Sequence, residues 1–203
     1  MEVIKTEGGD VREALDRALR VLGEGGMVAY PTETFYGLGV RFDDASALGR
    51  LFEIKGRPSD KPVSLIVGTE ASLSLVAAEV TTAARRLIDS YWPGPLTILF
   101  RAREGLNDAL TLEGKVAVRV PGESFGLHLA RALAFPITAT SANPSGGEPP
   151  STAEEVARLL PEGVDLLIDA GPTPGGKPST VVDASGEELR LLRAGAVEVP
   201  GLT

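Results

Sequence analysis

Short apolar runs that each end in a cluster of hydroxyls, amides or cations dominate this chain and restrict what it can fold into. Strand-like runs fall at residues 27–33, 63–67, 96–100, 116–120, 137–139, 164–168, 180–183 and 189–192. Helical spacing occupies 11–22, where Val11, Ala14, Leu15, Ala18, Leu19 and Leu22 share a face, and then 45–54, with Leu48, Leu51 and Phe52 together. Further helices are expected at about 81–91, 125–134 and 152–160. Asp10 is a suitable N-cap for the first helix, and Ser151-Thr-Ala-Glu154 has capping-box form for the last. Strands outnumber helices and the alternation is irregular. The pattern predicts an α+β or α/β domain, a twisted mixed sheet with flanking helices, rather than a regular doubly wound sheet. The Gly/Pro-rich stretches at 143–150 and 171–178 are too short for interdomain linkers, so one domain over 1–203 is expected.

Composition then removes whole classes of chemistry. With no cysteine among 203 residues there is no disulfide framework, iron–sulfur cluster or thiolate zinc site. His128 is the single histidine, which disfavours a histidine metal site and a Ser-His-Asp triad; its helical setting in FGLHLARAL suits packing or surface exposure. A formal net charge of −8 opposes nonspecific nucleic-acid coating, whose affinity comes from neutralised phosphates. No apolar stretch of membrane-spanning length and no signal-peptide pattern is present, so no membrane partner and a cytosolic location are expected.

Some motifs fail on inspection. The segment GPTPGGK (171–177) begins like a P-loop, but Pro178 stands where a magnesium-ligating Ser or Thr belongs, and a strand follows instead of a helix. Gly37-Leu-Gly39 lacks the third glycine of a dinucleotide fingerprint.

Five strand-end clusters remain. In PTETFYGLG (31–39) a strand runs into hydroxyls, a carboxylate and a phenol, followed by glycines that would admit a ligand to the backbone. KGRPSDKP (55–62) puts Lys55, Arg57 and Lys61 between prolines; a solvated basic loop is the bland reading of such a run, and a triphosphate clamp the sharper one. In VAVRVP, Arg119 interrupts an apolar strand and therefore needs a pocket or an internal carboxylate. ITATSAN runs directly into Ser141 and Asn143, while Ser179 and Arg193 repeat the theme near the end. Together these favour one anion-binding site with many contacts.

In their order and separations, PTETFYGLG, KGRPSDKP, WPGPLT, VAVRVP, TSANPSG, PSTVVD and LLRAG resemble the YrdC-like family, from about residue 10 to 195. The resemblance implies a YrdC/RibB-like mixed sheet around a large, open basic cavity, and the short single-domain form. It further implies a nucleotidyltransferase that makes L-threonylcarbamoyladenylate from L-threonine, bicarbonate or CO2, and ATP. Pyrophosphate is released, magnesium assists, and no metal is held by protein side chains. The product would serve N6-threonylcarbamoyladenosine modification of tRNA through a separate threonylcarbamoyl transferase complex, with tRNA involved only indirectly.

By the same resemblance Lys55, Arg57, Ser141 and Asn143 carry catalysis. Arg57, Lys61, Lys115, Ser141, Asn143 and Arg193 bind ATP, with the backbone of Lys115 an alternative to its side chain. Thr34, Arg119 and Ser179 recognise threonine, with the backbone at Ile66 and Ala139 lining its pocket. Two departures from the family pattern stand out. Pro178 replaces a common Glu, and Pro149 stands where some relatives place a nucleotide-contacting Ser, which Ser151 would have to replace. RNA binding without catalysis is the alternative, opposed by the acidic total charge and the lack of aromatic residues among 55–61. A carbamoyl-transfer role in hydrogenase maturation lacks the accessory domains and zinc-finger cysteines it would need.

Overall fold

The structure is a computed structural model that describes residues 1–6, 11–58 and 60–202. Twelve strands and five α-helices follow in the order β1 (Glu2–Lys5), α1 (Val11–Gly23), β2 (Val28–Pro31), β3 (Tyr36–Gly39), α2 (Ala45–Lys55), β4 (Leu65–Ile66), α3 (Thr82–Tyr91) and β5 (Leu96–Arg101). The second half continues with β6 (Thr111–Leu112), β7 (Lys115–Arg119), α4 (Phe125–Ala132), β8 (Ile137–Thr138), β9 (Thr140–Ser141), α5 (Ala153–Leu159), β10 (Leu166–Asp169), β11 (Thr180–Asp183) and β12 (Arg190–Arg193).

Both sheets are mixed, as the irregular alternation predicts, but there are two of them. The first has the order β1-β10-β2-β3-β9, parallel across β1, β10 and β2 and antiparallel beyond. The second has the order β12-β11-β5-β7-β4-β8, with β6 added beside β7. Its β11–β5 and β7–β4 pairs are parallel and its β12–β11, β5–β7 and β4–β8 pairs antiparallel. The expected single strand at 137–139 proves to be the hinge between sheets. Ile137 and Thr138 pair with β4, Thr140 and Ser141 beyond the expected run pair with β3, and Ala139 stands at the crossover.

Burial explains why β2 and β10 read as continuous apolar runs. Met27 and Ala29 join one buried cluster with Leu167, while Val28 and Tyr30 join another with Leu166 and Ile168. Alternate residues thus feed cores on opposite faces, the behaviour of a sheet covered on both sides. The smaller core is closed by α1 and α4 through Ala14, Ala18, Leu22, Phe125 and Leu129. Each later helix begins on a side-chain cap: Asp44 for α2, Thr81 for α3 and Ser124 for α4. The α5 capping box lies one residue later than expected, on Thr152 and Glu155, because Glu155 reaches back to the Thr152 N–H. Asp10, the proposed cap of α1, lies outside the described residues.

Four strands lie outside the expected runs: β1, β3, β6 and β9. β1 is an exposed edge strand with little apolar signal. β3, the YGLG of the first cluster, is fully buried, and its glycines make room for a side chain rather than for a ligand alone. A Cβ on Gly39 would lie 2.9 Å from the Tyr30 ring and 3.0 Å from Ile137.

Candidate active site

The turn from β2 into β3 is held by its own hydroxyls. Thr32 Oγ1 donates to the Phe35 carbonyl at 2.7 Å and accepts from the Thr34 N–H at 3.2 Å. That turn forms one wall of a cavity of about 390 Å³, inside the roughly 300–1,000 Å³ typical of small-molecule sites. The cavity lies between the sheets. Thr34, Gly37 and Ser141 line it from the first, and Thr97, Ala117, Arg119, Val181 and Arg193 from the second.

Among the described residues, three arginines and no carboxylate line it: Arg57, Arg119 and Arg193. Arg119, at the end of β7, is 7% exposed, and its Nη1 donates to Glu33 Oε1 at 2.6 Å. It therefore meets both expectations at once, a pocket and an internal carboxylate. Arg193 donates through Nε and Nη2 to the Ser179 carbonyl, at 3.1 and 2.8 Å, and through Nη2 to Ser179 Oγ at 3.1 Å. The Ser179 hydroxyl in turn meets Thr97 Oγ1 at 3.0 Å. Burial lowers the pKa of Arg193, and the charge of Arg119 lowers it further, so the two guanidiniums oppose each other across the site. Arg57 bonds its own loop, from Nε to the Lys61 carbonyl at 2.7 Å and from Nη2 to the Pro62 carbonyl at 2.8 Å, and burial lowers its pKa. Three guanidiniums, of which only Arg119 is paired with a carboxylate, leave an excess of positive charge that favours an anion.

The cavity brings together Thr34, Arg57, Arg119, Ala139, Ser141, Ser179 and Arg193 of the residues expected from sequence. Others stand apart. Lys55 does not line it: the side chain is 2% exposed, and Nζ donates to the carbonyls of Ser141 and Asn143 at 2.5 and 2.6 Å. Burial, with Arg57 adding to it, pulls this ammonium down to about 8. Asn143 is also 2% exposed, and its Nδ2 donates to the carbonyls of Pro144 and Gly147, each at 2.8 Å. Its Oδ1 is buried without a hydrogen-bond partner. Lys61 is exposed and contributes its carbonyl to Arg57. Lys115, at the far end of β7 from Arg119, is neutralised by Asp183 at 2.7 Å. Ile66 pairs with β7 on one side and β8 on the other, so its backbone serves the sheet. Ser64 takes that place on the wall, donating from Oγ to the Ala139 carbonyl at 2.8 Å.

Thr32, Ser64 and Thr97 were missed from sequence, although Thr97 ends the conspicuous WPGPLT string. Pro149 and Pro178 both reach the cavity, whereas Ser151 is not among the lining residues. The segment resembling a P-loop is irregular and feeds β11, not a helix. His128 is exposed, with Nε2 2.8 Å from Glu123. No helix of the described residues is long and apolar enough to cross a membrane. Among them no three His, Asp or Glu side chains gather as a metal-holding group.

Fold and cavity define the class: a mixed two-sheet α/β protein whose cavity, among the described residues, is lined by hydroxyls and arginines. A family model described as telomere recombination, that of the Sua5/YciO/YrdC proteins, matches residues 20–195. The chain belongs to that family. It is 37% identical over 195 residues to the threonylcarbamoyl-AMP synthase of Pyrococcus abyssi, covering 93% of this chain and 57% of that protein. To the threonylcarbamoyl-AMP synthase of Bacillus subtilis it is 36% identical over 184 residues, 89% of this chain and 53% of the relative. The chain thus spans a little over half the length of these curated relatives. The crystal structure of P. abyssi Sua5 complexed with L-threonine superposes with a TM-score of 0.87 at 36% identity, over 96% of this chain and 57% of that one.

Proposed function

We propose that this chain is an L-threonylcarbamoyladenylate synthase: L-threonine, bicarbonate and ATP give threonylcarbamoyl-AMP, pyrophosphate and water, and with CO2 in place of bicarbonate no water is formed. The observation that carries the reading is a concave site lined by Arg57, Arg119 and Arg193 with no acid among its lining residues, in a chain of net charge −8. Its similarity to the synthases of P. abyssi and B. subtilis, and to a Sua5 bound to L-threonine, supports the same substrates.

The threonine carboxylate, bicarbonate, the carbamate and ATP are all anions, so positioning and charge stabilisation dominate. The amine becomes a carbamate, a carbamate oxygen attacks the α-phosphorus, and pyrophosphate leaves. Arg57 and Arg193 would hold the nucleotide phosphates, aided by the exposed Lys61 and by the Ser141 hydroxyl. Arg119 would receive the threonine carboxylate, with Thr34, Ser179 and the Ala139 backbone around the amino acid. Lys55 and Asn143 would act on the phosphates indirectly, by holding the 141–147 turn. The Lys115 side chain pairs with Asp183 at 2.7 Å, so its backbone would make the nucleotide contact. Magnesium would enter on the triphosphate and neutralise developing charge there.

The proposal makes residues 1–203 one YrdC-like domain acting in the cytosol, with its adenylate passed to a separate transferase complex that handles tRNA. RNA binding without catalysis is the weaker reading, since the chain is acidic overall, with a net charge of −8. Incubation with ATP, magnesium, bicarbonate and labelled threonine tests the choice. Pyrophosphate and a labelled adenylate formed only when all components are present support synthesis. No pyrophosphate under those conditions overturns it.

A further inference from the structure

The β2–β3 turn carries a carboxylate that none of these roles uses. Glu33 lies between Thr32 and Thr34, which both line the cavity, yet is not itself among the lining residues. Its carboxylate meets Arg119 instead, through the single 2.6 Å contact of Oε1 with Nη1. The side chains of Arg119 and Glu33 are only 9% and 13% exposed, and Glu33 Oε2 is buried without a hydrogen-bond partner. The space is kept by Gly122, where a Cβ would come within 3.0 Å of Glu33 Cγ. The wholly buried Tyr30 lies within the field of the pair. Burial pushes its phenol up, while Arg119 pulls it down and Glu33 pushes it up.

A guanidinium presents five N–H donors in a rigid planar fork. Glu33 takes one of them, and among the described residues the Arg119 side chain makes no other hydrogen bond. A monodentate buried partner of this kind fixes the fork without occupying it, and leaves donors for an anion arriving from the cavity. A carboxylate bound in bidentate fashion would have blocked it.

We infer that Glu33 is a positioning residue, holding the Arg119 guanidinium where it receives the carboxylate of the amino-acid substrate. The inference rests on the reading of Arg119 given under Proposed function. A purely structural ion pair would affect folding, and any loss of affinity would fall on both substrates. A positioning pair acts on the amino acid alone.

Adenylate formation by the full chain, titrated with threonine at saturating ATP and with ATP at saturating threonine, separates the two. Glu33→Ala is expected to raise the threonine KM by about tenfold or more with the ATP KM unchanged. Glu33→Gln keeps an acceptor oxygen at the same reach and is expected to restore the threonine KM to within about threefold of wild type. Should the alanine variant not fold, Glu33→Asp, which keeps the charge but is one methylene shorter, carries the same expectation. An unchanged threonine KM, a parallel rise in both KM values, or a Gln variant no better than Ala overturns the inference. Wild-type chain that makes no adenylate overturns the functional reading itself. Active wild type whose threonine KM responds to Arg119→Ala but not to Glu33 substitution overturns only the positioning role.

Discussion

The ammonium of Lys55, at the end of α2, donates to the backbone carbonyl of Ser141 at 2.5 Å, and the same nitrogen reaches the Asn143 carbonyl at 2.6 Å. The main chain reinforces the link, since the Ser145 N–H donates to the Lys55 carbonyl at 2.7 Å. A helix end and a cavity-lining turn, far apart in sequence, are thereby locked together with Ser141 on the wall.

Replacing this ammonium by an apolar side chain of similar length leaves two carbonyls without their donor. Lys55→Met should destabilise the fold by about 1–3 kcal/mol, the usual cost of buried polar groups left unmade. It should also lower kcat through Ser141 more than it raises the threonine KM. Urea unfolding and steady-state kinetics measure the two effects.

The same group gives stability a pH dependence of defined sign. Its pKa falls from 10.5 to about 8 on folding, through burial first and Arg57 second. Between these values the unfolded chain binds more protons than the native one, so this contribution to stability grows as pH rises from about 8 towards 10, by at most about 1.4 kcal/mol per pH unit. The benefit is lost as pH falls through 8. The difference in unfolding free energy between wild type and Lys55→Met, followed across that interval, should show this slope; a flat difference would contradict the lowered pKa.

Arg57 lines the cavity while two of its nitrogens order residues 61–62. Arg57→Ala should therefore cost on the order of 10²-fold or more in adenylate formation, the typical effect of removing a preorganised charge-stabilising donor. Turnover near that of wild type would remove Arg57 from the phosphate site.

Arg119→Ala should raise the threonine requirement. It should also destabilise the protein by about 3–5 kcal/mol, because Glu33 would be left buried without its partner. Arg119→Lys should not rescue threonine binding, since a point charge cannot reproduce a planar fork that serves two carboxylates. Threonine KM and denaturant midpoints for both variants decide this.

Gly39→Ala tests the reading of the YGLG string as a buried strand. A methyl there would lie 2.9 Å from the Tyr30 ring and 3.0 Å from Ile137 Cδ1, both in the packed core. Overpacking of this kind should cost about 1–3 kcal/mol, read as a lower denaturant midpoint.

Much of the local structure was legible in sequence. The α2, α3 and α4 segments fall close to the expected 45–54, 81–91 and 125–134, and each starts on an N-cap hydrogen bond made within three residues. The β3 strand was hidden because two glycines in four residues read as a loop, and its partner, the Tyr30 ring, arrives across the sheet. Thr97 gave no signal of its own: its role depends on Ser179, brought beside it by the parallel pairing of β5 with β11.

The sequence by itself determined the kinds of element, the acidic but cysteine-free composition, the family motifs, and the supply of cations at strand and helix ends. Only the tertiary structure decided which of those cations line the cavity. Arg57, Arg119 and Arg193 converge on the cavity, whereas Lys55 is tied to carbonyls 86 and 88 residues away and Lys115 to a carboxylate 68 residues away. The reason is physical. A buried charge must find partners wherever the fold supplies them, and those partners come from strands whose pairing is non-local.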